Sequence, residues 1–179
     1  MYNRINNEEV LSIKKITNDL VKKYDMDMIC DPQIIANSEG YKVKFSSYGE
    51  SVKNKIASYI LDNNTIHINN DLCTFDIIFS IAHELGIGIL NLNRNRVFHR
   101  KYCEYIFSNN QPIDDIKANI FAMNLLVSPS NIKKVLDWIY VDNSLFCHTR
   151  WESYSRAMCV KEYILKYMVD NFKGDKICN

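Results

Sequence analysis

The sequence lacks a charge imbalance and a long hydrophobic run. Lysine and arginine total 22 against 21 aspartate and glutamate, so the formal charge of +1 gives no global field that favours nucleic acid or an anionic membrane. The first residues, MYNRINNEEVLSIKK, contain no apolar core of a signal peptide, and no later run is long enough to span a bilayer. These absences predict a cytoplasmic protein with no membrane partner, and they argue against direct binding to nucleic acid.

Paired cysteines are also absent. The six cysteines form no C-x-x-C pair, which in a reducing compartment predicts free thiols rather than disulfides or a cysteine zinc site. They are Cys30, Cys73, Cys103, Cys147, Cys159 and Cys178.

Length and hydrophobicity favour a single domain over residues 1–179. Apolar residues make up 47% of the 179 residues, which is enough to bury one sizeable core. The chain contains no internal repeat and no low-complexity linker, so its elements are read from periodicity.

The N-terminal part is predicted to contain helices and then a small sheet. Apolar residues recur at helical spacing from about Asn7 to Tyr24, which predicts an amphipathic helix. The stretch DPQIIANSEGYKVKFSS predicts a short helix with Pro32 in its first turn, closed near Gly40, and then a strand. Two β-rich runs flank residues 62–64, whose Asp and Asn tolerate the positive φ of a hairpin turn. We therefore expect two adjacent strands.

The stretch FSIAHELGIGILN opens like the metal-binding helix of a zinc protease. In an H-E-x-x-H motif two imidazoles one turn apart converge on one ion, and the glutamate reaches the water that the ion activates. Here His83 and Glu84 match, but Ile87 stands where the second histidine belongs. The pair is compatible with a metal site and equally with a hydrogen-bonded core feature. Gly86 and Gly88 each weaken the helix by about 1 kcal/mol relative to Ala, so close packing or function retains them.

A second well-delimited helix is predicted in QPIDDIKANIFAMNLLVSPSNI. Pro112 suits a first turn, and Asp114 and Asp115 favour the positive start of a helix. Pro129 follows the last apolar turn and marks the end of the helix.

Together these segments resemble the ImmA/IrrE family of zinc metallo-endopeptidases. The resemblance runs from DPQIIANSEGYKVKF through TIHINN and IAHELG to DDIKANIFAMNLLVSP, and it covers most of residues 10 to 130. It implies an α+β fold: a zincin-like metallopeptidase core with a small β-sheet, an HExx(H) active-site helix and extra C-terminal helices. The core would span residues 1–129, and a helical C-terminal extension would span residues 130–179.

The resemblance also assigns the site. His83 matches the first zinc ligand, Glu84 the general base, and Asp115 the third ligand, which is usually glutamate in the family. Asn119 lies one turn after Asp115, where it could orient a ligand. The alternative for Asp115 and its neighbour Asp114 is favourable charge at a helix start. Zinc is the implied cofactor of an active enzyme, and an inactive one would need none.

Ile87 is the departure from the family pattern. Its side chain has no lone pair, so one histidine and one carboxylate remain where three protein ligands are usual. Asp114, His99 and Cys103 are the candidate surrogate ligands. His67 alternates with two isoleucines on the second hairpin strand, and we interpret it as a substrate contact or a surface residue.

The stretch NRNRVFHRKYC, which contains His99, is predicted to be a loop. Basic residues with interleaved aromatics can track single-stranded nucleic acid, although a solvated loop is the commoner reading. The residues concerned are Arg94, Arg96, Phe98, Arg100, Lys101 and Tyr102.

Beyond Pro129, NIKKVLDWIYVD and WESYSRAMCVKEYILKYMVDNF predict two further helices. These helices belong to the core or help to hold a protein partner.

Two functional hypotheses follow from the resemblance. In the first, the chain is a pseudoenzyme of phage or mobile-element origin that acts on a transcriptional repressor, with proteolysis impaired by the loss of the second histidine. In the second, it is an active zinc endopeptidase that cleaves a helix-turn-helix repressor and uses a surrogate ligand, with Glu84 as the base.

Overall fold

The computed structural model describes residues 5–26, 29–53, 55–99, 111–141 and 147–177. Helices and a small mixed sheet form the N-terminal part, and helices follow the sheet. The predicted α+β class is confirmed. The helices are α1 (Asn7–Lys23), α2 (Pro32–Ser38), α3 (Glu50–Lys53), α4 (Thr74–Ile89), α5 (Ile113–Leu126), α6 (Pro129–Val141), α7 (Cys147–Ala157) and α8 (Glu162–Ile177). The strands are β1 (Lys42–Ser46), β2 (Ile56–Ile60), β3 (Thr65–Asn69) and β4 (Val97–His99).

Side-chain caps explain where the first two helices begin. Asn6 caps α1 because its side chain accepts a hydrogen bond from the backbone N–H of Glu9 at 2.7 Å. Asp31 caps α2 by accepting from the backbone N–H of Gln33 at 2.9 Å. Pro32 occupies the first turn of α2, as the sequence predicts.

The sheet has the strand order β1-β3-β2-β4. β2 and β3 form the predicted antiparallel hairpin, and Asn64 in the turn has a φ of 58°. β1 pairs with β3 in parallel, and β4 pairs antiparallel with the other side of β2. The prediction of a loop around His99 is wrong for residues 97–99, which form a short strand. Phe98 is the one buried residue of this strand, and one residue is too few to show an alternating pattern in the sequence.

The C-terminal segment contains one more helix than predicted within the described residues. The stretch predicted as one helix from Trp151 onward is split between α7 and α8. Cys159 has a φ of 51°, and the backbone N–H of Val160 donates to the carbonyl of Ser155 at 3.0 Å. This is a Schellman-type helix end, which the sequence hid because a cysteine rather than a glycine takes the left-handed position.

The core lies between the sheet and α5, with α4 in the middle. A Cβ on Gly86 would lie 2.9 Å from the Phe121 ring on α5, and a Cβ on Gly88 would lie 2.5 Å from the Tyr41 ring. Close packing therefore explains both glycines, one of the two reasons that the sequence allowed. α1 covers the far side of α5, where Lys117 pairs with Glu9 at 2.6 Å.

Three further predictions concern thiols, the domain division and membranes. Cys30, Cys73 and Cys159 are free thiols, as predicted, whereas Cys103, Cys178 and the side chain of Cys147 lie outside the described residues. The division at residue 129 stays a prediction. In the described ranges, none of the helices combines the length and the apolar character needed to cross a membrane.

Candidate metal centre

His83 is held in α4 by a chain of buried amides. Its Nδ1 lies 2.9 Å from Oδ1 of Asn119, and Nδ2 of Asn119 donates to Oε1 of Gln111 at 2.6 Å. Because the Asn119 amide nitrogen is used on Gln111, its oxygen faces His83 and accepts the Nδ1 proton. Burial lowers the pKa of His83 to about 3, against the opposing effect of the Asn119 hydrogen bond. The imidazole is therefore neutral, and its Nε2 carries the lone pair.

Glu84, the matching general base, is also buried. Only 2% of the residue is exposed, and its Oε1 accepts a hydrogen bond from the Ser58 hydroxyl of β2 at 2.6 Å. Burial raises the pKa of Glu84 to about 8; the Ser58 hydrogen bond opposes the shift and the Asp115 charge adds to it. A carboxyl with a pKa near neutrality lies in the range in which a group can both accept and return a proton.

Asp115 lies in the first turn of α5 and faces the same region. Its effect on the Glu84 carboxyl shows that α4 and α5 bring the two acids into electrostatic reach. Burial raises the pKa of Asp115 to about 6, Arg96 and His99 lower it, and Asp114 raises it. The structure thus brings Asp115 into electrostatic reach of Glu84, and the ligand roles of His83 and Asp115 stay predictions.

Apolar side chains fill the remainder of the site. Ile87, one turn after His83, is 4% exposed and belongs to the hydrophobic core. Phe98 of β4 stacks on the His83 ring with 3.9 Å between ring centroids and an interplanar angle of 21°. Phe79, one turn before His83 on α4, also lies near Phe98, at 6.4 Å between centroids.

These residues do not fit the zinc site that the motif implies. Three protein ligands and an open position are usual in catalytic zinc sites. Among the described residues, no three His, Cys, Asp or Glu side chains are grouped so that they could hold a metal ion. The donors at hand are Nε2 of His83 and the carboxylate of Asp115, and Ile87 contributes none.

The candidate surrogate ligands and the basic residues of the stretch 94–102 lie at different places in the structure. Asp114 is half-buried beside Asp115, and His99 is exposed on β4. Arg94 donates to Oδ1 of Asn64 at 2.7 Å and so is tied to the hairpin turn. Arg96 acts electrostatically on Asp115. The remaining residues of these predictions, which are Arg100, Lys101, Tyr102 and Cys103, lie outside the described residues.

His67 lies on the sheet face opposite to that of the buried Ile66 and Ile68. Its ring stacks on Tyr59 at 4.8 Å between centroids, with an interplanar angle of 3°. Its Nδ1 lies 3.4 Å from the Ser46 hydroxyl. His67 is therefore part of a cross-strand pair, and its role as a substrate contact stays a prediction.

Sequence reasoning missed three residues of the site. Ser58 sits in an apolar strand, and Phe98 is a single aromatic in a polar stretch, so neither carried a periodic signal. Gln111 was detectable only as a polar residue directly before the helix start at Pro112. The position of Asn119, one turn after Asp115, was the one clue to this amide chain.

Comparison with known families identifies the fold family of the chain. The model of the IrrE N-terminal-like domain, Peptidase_M78, matches residues 36–154, which is more than half of the chain. A comparison with curated proteins finds no match. The matched region contains the sheet, the motif helix α4 and α5, so the ImmA/IrrE resemblance read from the sequence is confirmed. The chain therefore belongs to the IrrE N-terminal-like family of metallopeptidase-fold proteins.

Proposed function

We propose that this protein is an ImmA/IrrE-like regulator of phage or mobile-element origin that binds a transcriptional repressor in the cytoplasm, with its proteolytic activity impaired. The observation that carries the proposal is the buried Ile87 at the second ligand position, with the Phe98 ring stacked on His83. The family fold is intact around a donor set that does not fit zinc.

The energetic consequence of the missing ligand is large. Four ligands bind structural zinc with about 10 to 16 kcal/mol, so one ligand accounts for roughly 3 kcal/mol, or about a hundredfold in affinity. The Phe98 ring lies on His83 and has no nitrogen, oxygen or sulfur atom that could coordinate an ion. We infer that the site does not retain zinc under ordinary conditions.

The protonation of Glu84 depends on whether a cation is bound. With no cation beside it, burial raises the pKa of the Glu84 carboxyl to about 8, and a bound cation would favour the charged form. The Ser58 hydroxyl stabilises the charged form and still does not offset the burial. Because Ile87 supplies no ligand, occupancy of a partner, rather than peptide hydrolysis, is the activity that this site supports best.

The proposed partner rests on the family. A helix-turn-helix repressor encoded beside the gene is the partner that the resemblance implies. The C-terminal helices α6, α7 and α8 offer further surface for holding such a protein, and this role belongs to the proposal.

The test incubates the purified protein and zinc with the neighbouring repressor and follows both binding and cleavage. We expect a stable complex and an intact repressor, and we expect Glu84→Gln to bind the repressor as well as the parent does. Ile87→His serves as the matched variant that restores the ligand pattern. Cleavage by the parent that Glu84→Gln abolishes would show that the site is an active peptidase.

A second candidate function is an active zinc endopeptidase with a surrogate ligand. The observation that favours it is His99, which lies close enough to Asp115 to lower the pKa of that carboxyl. With His99 as the surrogate, this function requires His99→Ala to weaken zinc binding by the parent protein. An unchanged zinc titration in that variant removes His99 as the surrogate.

A further inference from the structure

A groove lies where α7 and α8 meet the first turn of α4, outside the candidate metal centre. Its volume is about 430 Å³, which is in the range of small-molecule sites. Phe75 of α4, Ser155 of α7, residues 160–163 and Lys166 of α8 line it. Apart from Phe75, all of these residues follow residue 154, where the match to the IrrE N-terminal-like family ends. The groove is therefore built mainly by a part of the chain that the family model does not cover.

The walls of the groove are mostly apolar. The rings of Phe75 and Tyr163 come from different helices, and both side chains are half-buried. Val160 lies in the turn between α7 and α8 and is 2% exposed. Half-buried rings retain apolar area that a bound molecule can remove from water. The groove is therefore suited to a ligand with an apolar body.

Two ammonium groups lie beside these apolar walls. The Nζ of Lys161 lies 2.6 Å from Oδ1 of Asp76, a residue that is 9% exposed and does not line the groove. Lys166 is paired with Glu162 one turn earlier, and its Nζ lies 5.7 Å from the centre of the Trp151 ring. Among the side chains that line the groove, two positive charges thus face the single negative charge of Glu162. The groove has an excess of positive charge next to an apolar surface.

We propose that this groove binds a small organic carboxylate with an apolar body. The carboxylate lies at Lys161 and Lys166, and the body covers the rings of Phe75 and Tyr163. A partly exposed ion pair adds little free energy, so the burial of the body supplies most of the affinity and the two lysines supply the selectivity for an anion. The site is independent of the proposed function, because none of its residues belongs to the candidate metal centre.

The ion pairs of the groove also have a structural role. Lys161 joins the start of α8 to the first turn of α4 through Asp76. A purely structural role predicts that substitutions change the stability of the protein and that no carboxylate binds. The experiment therefore measures ligand binding and its dependence on charge.

The probes are indoleacetate, indoleacetamide and tryptamine, which share an apolar indole body and are negative, neutral and positive. Amide NMR titrations of the full-length protein at neutral pH measure each dissociation constant and locate the contact. We expect indoleacetate to bind with a Kd below about 1 mM, roughly fivefold or more tighter than the amide and tenfold or more tighter than the amine. The shifted amides should cluster at Phe75, Ser155 and residues 160–166.

Full-length variants separate the two signs of charge in the groove. Lys166→Gln should weaken the binding of indoleacetate about threefold, because it removes one of the ammonium groups. Glu162→Gln should strengthen it by a similar factor, because it removes the negative charge and the competing partner of Lys166. Lys15→Gln is the matched control, since Lys15 is an exposed lysine of α1 outside the groove, and it should leave the Kd unchanged.

Equal affinity for the three probes overturns the proposal, as does the absence of indoleacetate binding at concentrations up to about 10 mM. Shifts that cluster around His83 instead of the groove also overturn it. A change of the same sign in Lys166→Gln and Glu162→Gln would leave the ion pair with its structural role alone. The probe series on the parent protein decides the question if either variant fails to fold, which circular dichroism detects.

Discussion

Two successive turns near the C-terminal end of α4 differ in polarity. In one of them, His83 and Glu84 are buried polar groups whose hydrogen-bond partners, Asn119 and Ser58, lie on other elements. In the next turn, Ile87 is an apolar member of the core, and the ring of Phe98 lies over the histidine. The hydrogen bonds that would orient a metal-binding imidazole are present, whereas the ligand set is incomplete. The hydrogen bonds that support the histidine can therefore persist without the metal ligands, because they also stabilise the fold.

The largest effect is expected from removing the side chain of Asn119, the α5 residue that is hydrogen-bonded to His83. Asn119→Ala removes the partner of the His83 Nδ1–H and one partner of Gln111 in a fully buried place. We expect the free energy of unfolding to fall by about 2 to 4 kcal/mol, because a buried donor without an acceptor is costly. Denaturant titration by circular dichroism measures this loss. Asn124→Ala is the matched control in the same helix, since Asn124 bonds only to the Ile120 carbonyl of its own helix among the contacts described, and its loss should be about 1 kcal/mol.

The pH dependence of stability tests whether burial raises the pKa of Glu84. Its pKa rises from 4.5 to about 8 on folding, so between these values the folded protein binds more protons than the unfolded chain. The free energy of unfolding contributed by this group is therefore highest below pH 4.5, falls as the pH rises toward 8, and is constant above that. Glu84→Gln keeps an oxygen acceptor for Ser58 and cannot ionise. We expect the variant to gain stability relative to the parent across this window, by on the order of a few kcal/mol at pH 8. A difference between the two proteins that does not change from pH 4.5 to 8 would show that Glu84 is not desolvated as described.

The packing of the apolar side is tested at Gly86. A methyl group there meets the Cγ and Cβ atoms of the buried Phe121 at 3.0 and 3.1 Å, and an atom so close to the backbone moves little. Gly86→Ala should lower the free energy of unfolding by about 1 to 3 kcal/mol, despite the better helix propensity of alanine. Gly49→Ala has open space around the added Cβ, so its effect should stay within about 0.5 kcal/mol. Thermal unfolding of the two variants side by side distinguishes them, and equal melting temperatures would refute the close approach of α4 and α5.

The smallest effect is expected at Tyr48, and its sign is unusual. Tyr48→Phe removes a buried hydroxyl that has no partner of good hydrogen-bond geometry among the described residues, although Tyr59 lies close enough to raise the pKa of Tyr48, so the variant should raise the free energy of unfolding by about 1 kcal/mol. Tyr24→Phe is the opposite case, because the Tyr24 hydroxyl donates to Oε1 of Glu39 at 2.7 Å. That variant should lose about 0.5 to 1 kcal/mol. If Tyr48→Phe is the less stable of the two, the Tyr48 hydroxyl has a partner.

Periodicity and motif spacing were sufficient for most of the fold and for half of the site. The helices α1, α4 and α5 each carry an apolar face and recognisable ends, and the hairpin turn carries Asn and Asp. The strand β4 and the end of α7 each depend on a single residue, Phe98 and Cys159, so neither could be predicted from the periodicity of the sequence. His83, Glu84, Asp115 and Asn119 were named from the family spacing; the structure pairs His83 with Asn119 and brings Asp115 into electrostatic reach of Glu84. Ser58 and Gln111, which are hydrogen-bonded to Glu84 and Asn119, are distant from the motif in sequence and meet these residues only in the folded chain.

The most direct test of the central claim is zinc binding by the chelator-stripped parent protein beside the Ile87→His variant. Stoichiometry and affinity are measured at neutral pH by titration against a competing chelator. We expect the variant to bind one zinc at least about a hundredfold more tightly than the parent, because it regains the missing ligand one turn from His83. A parent protein that binds one zinc as tightly as the variant would contradict the claim that this site has lost its metal.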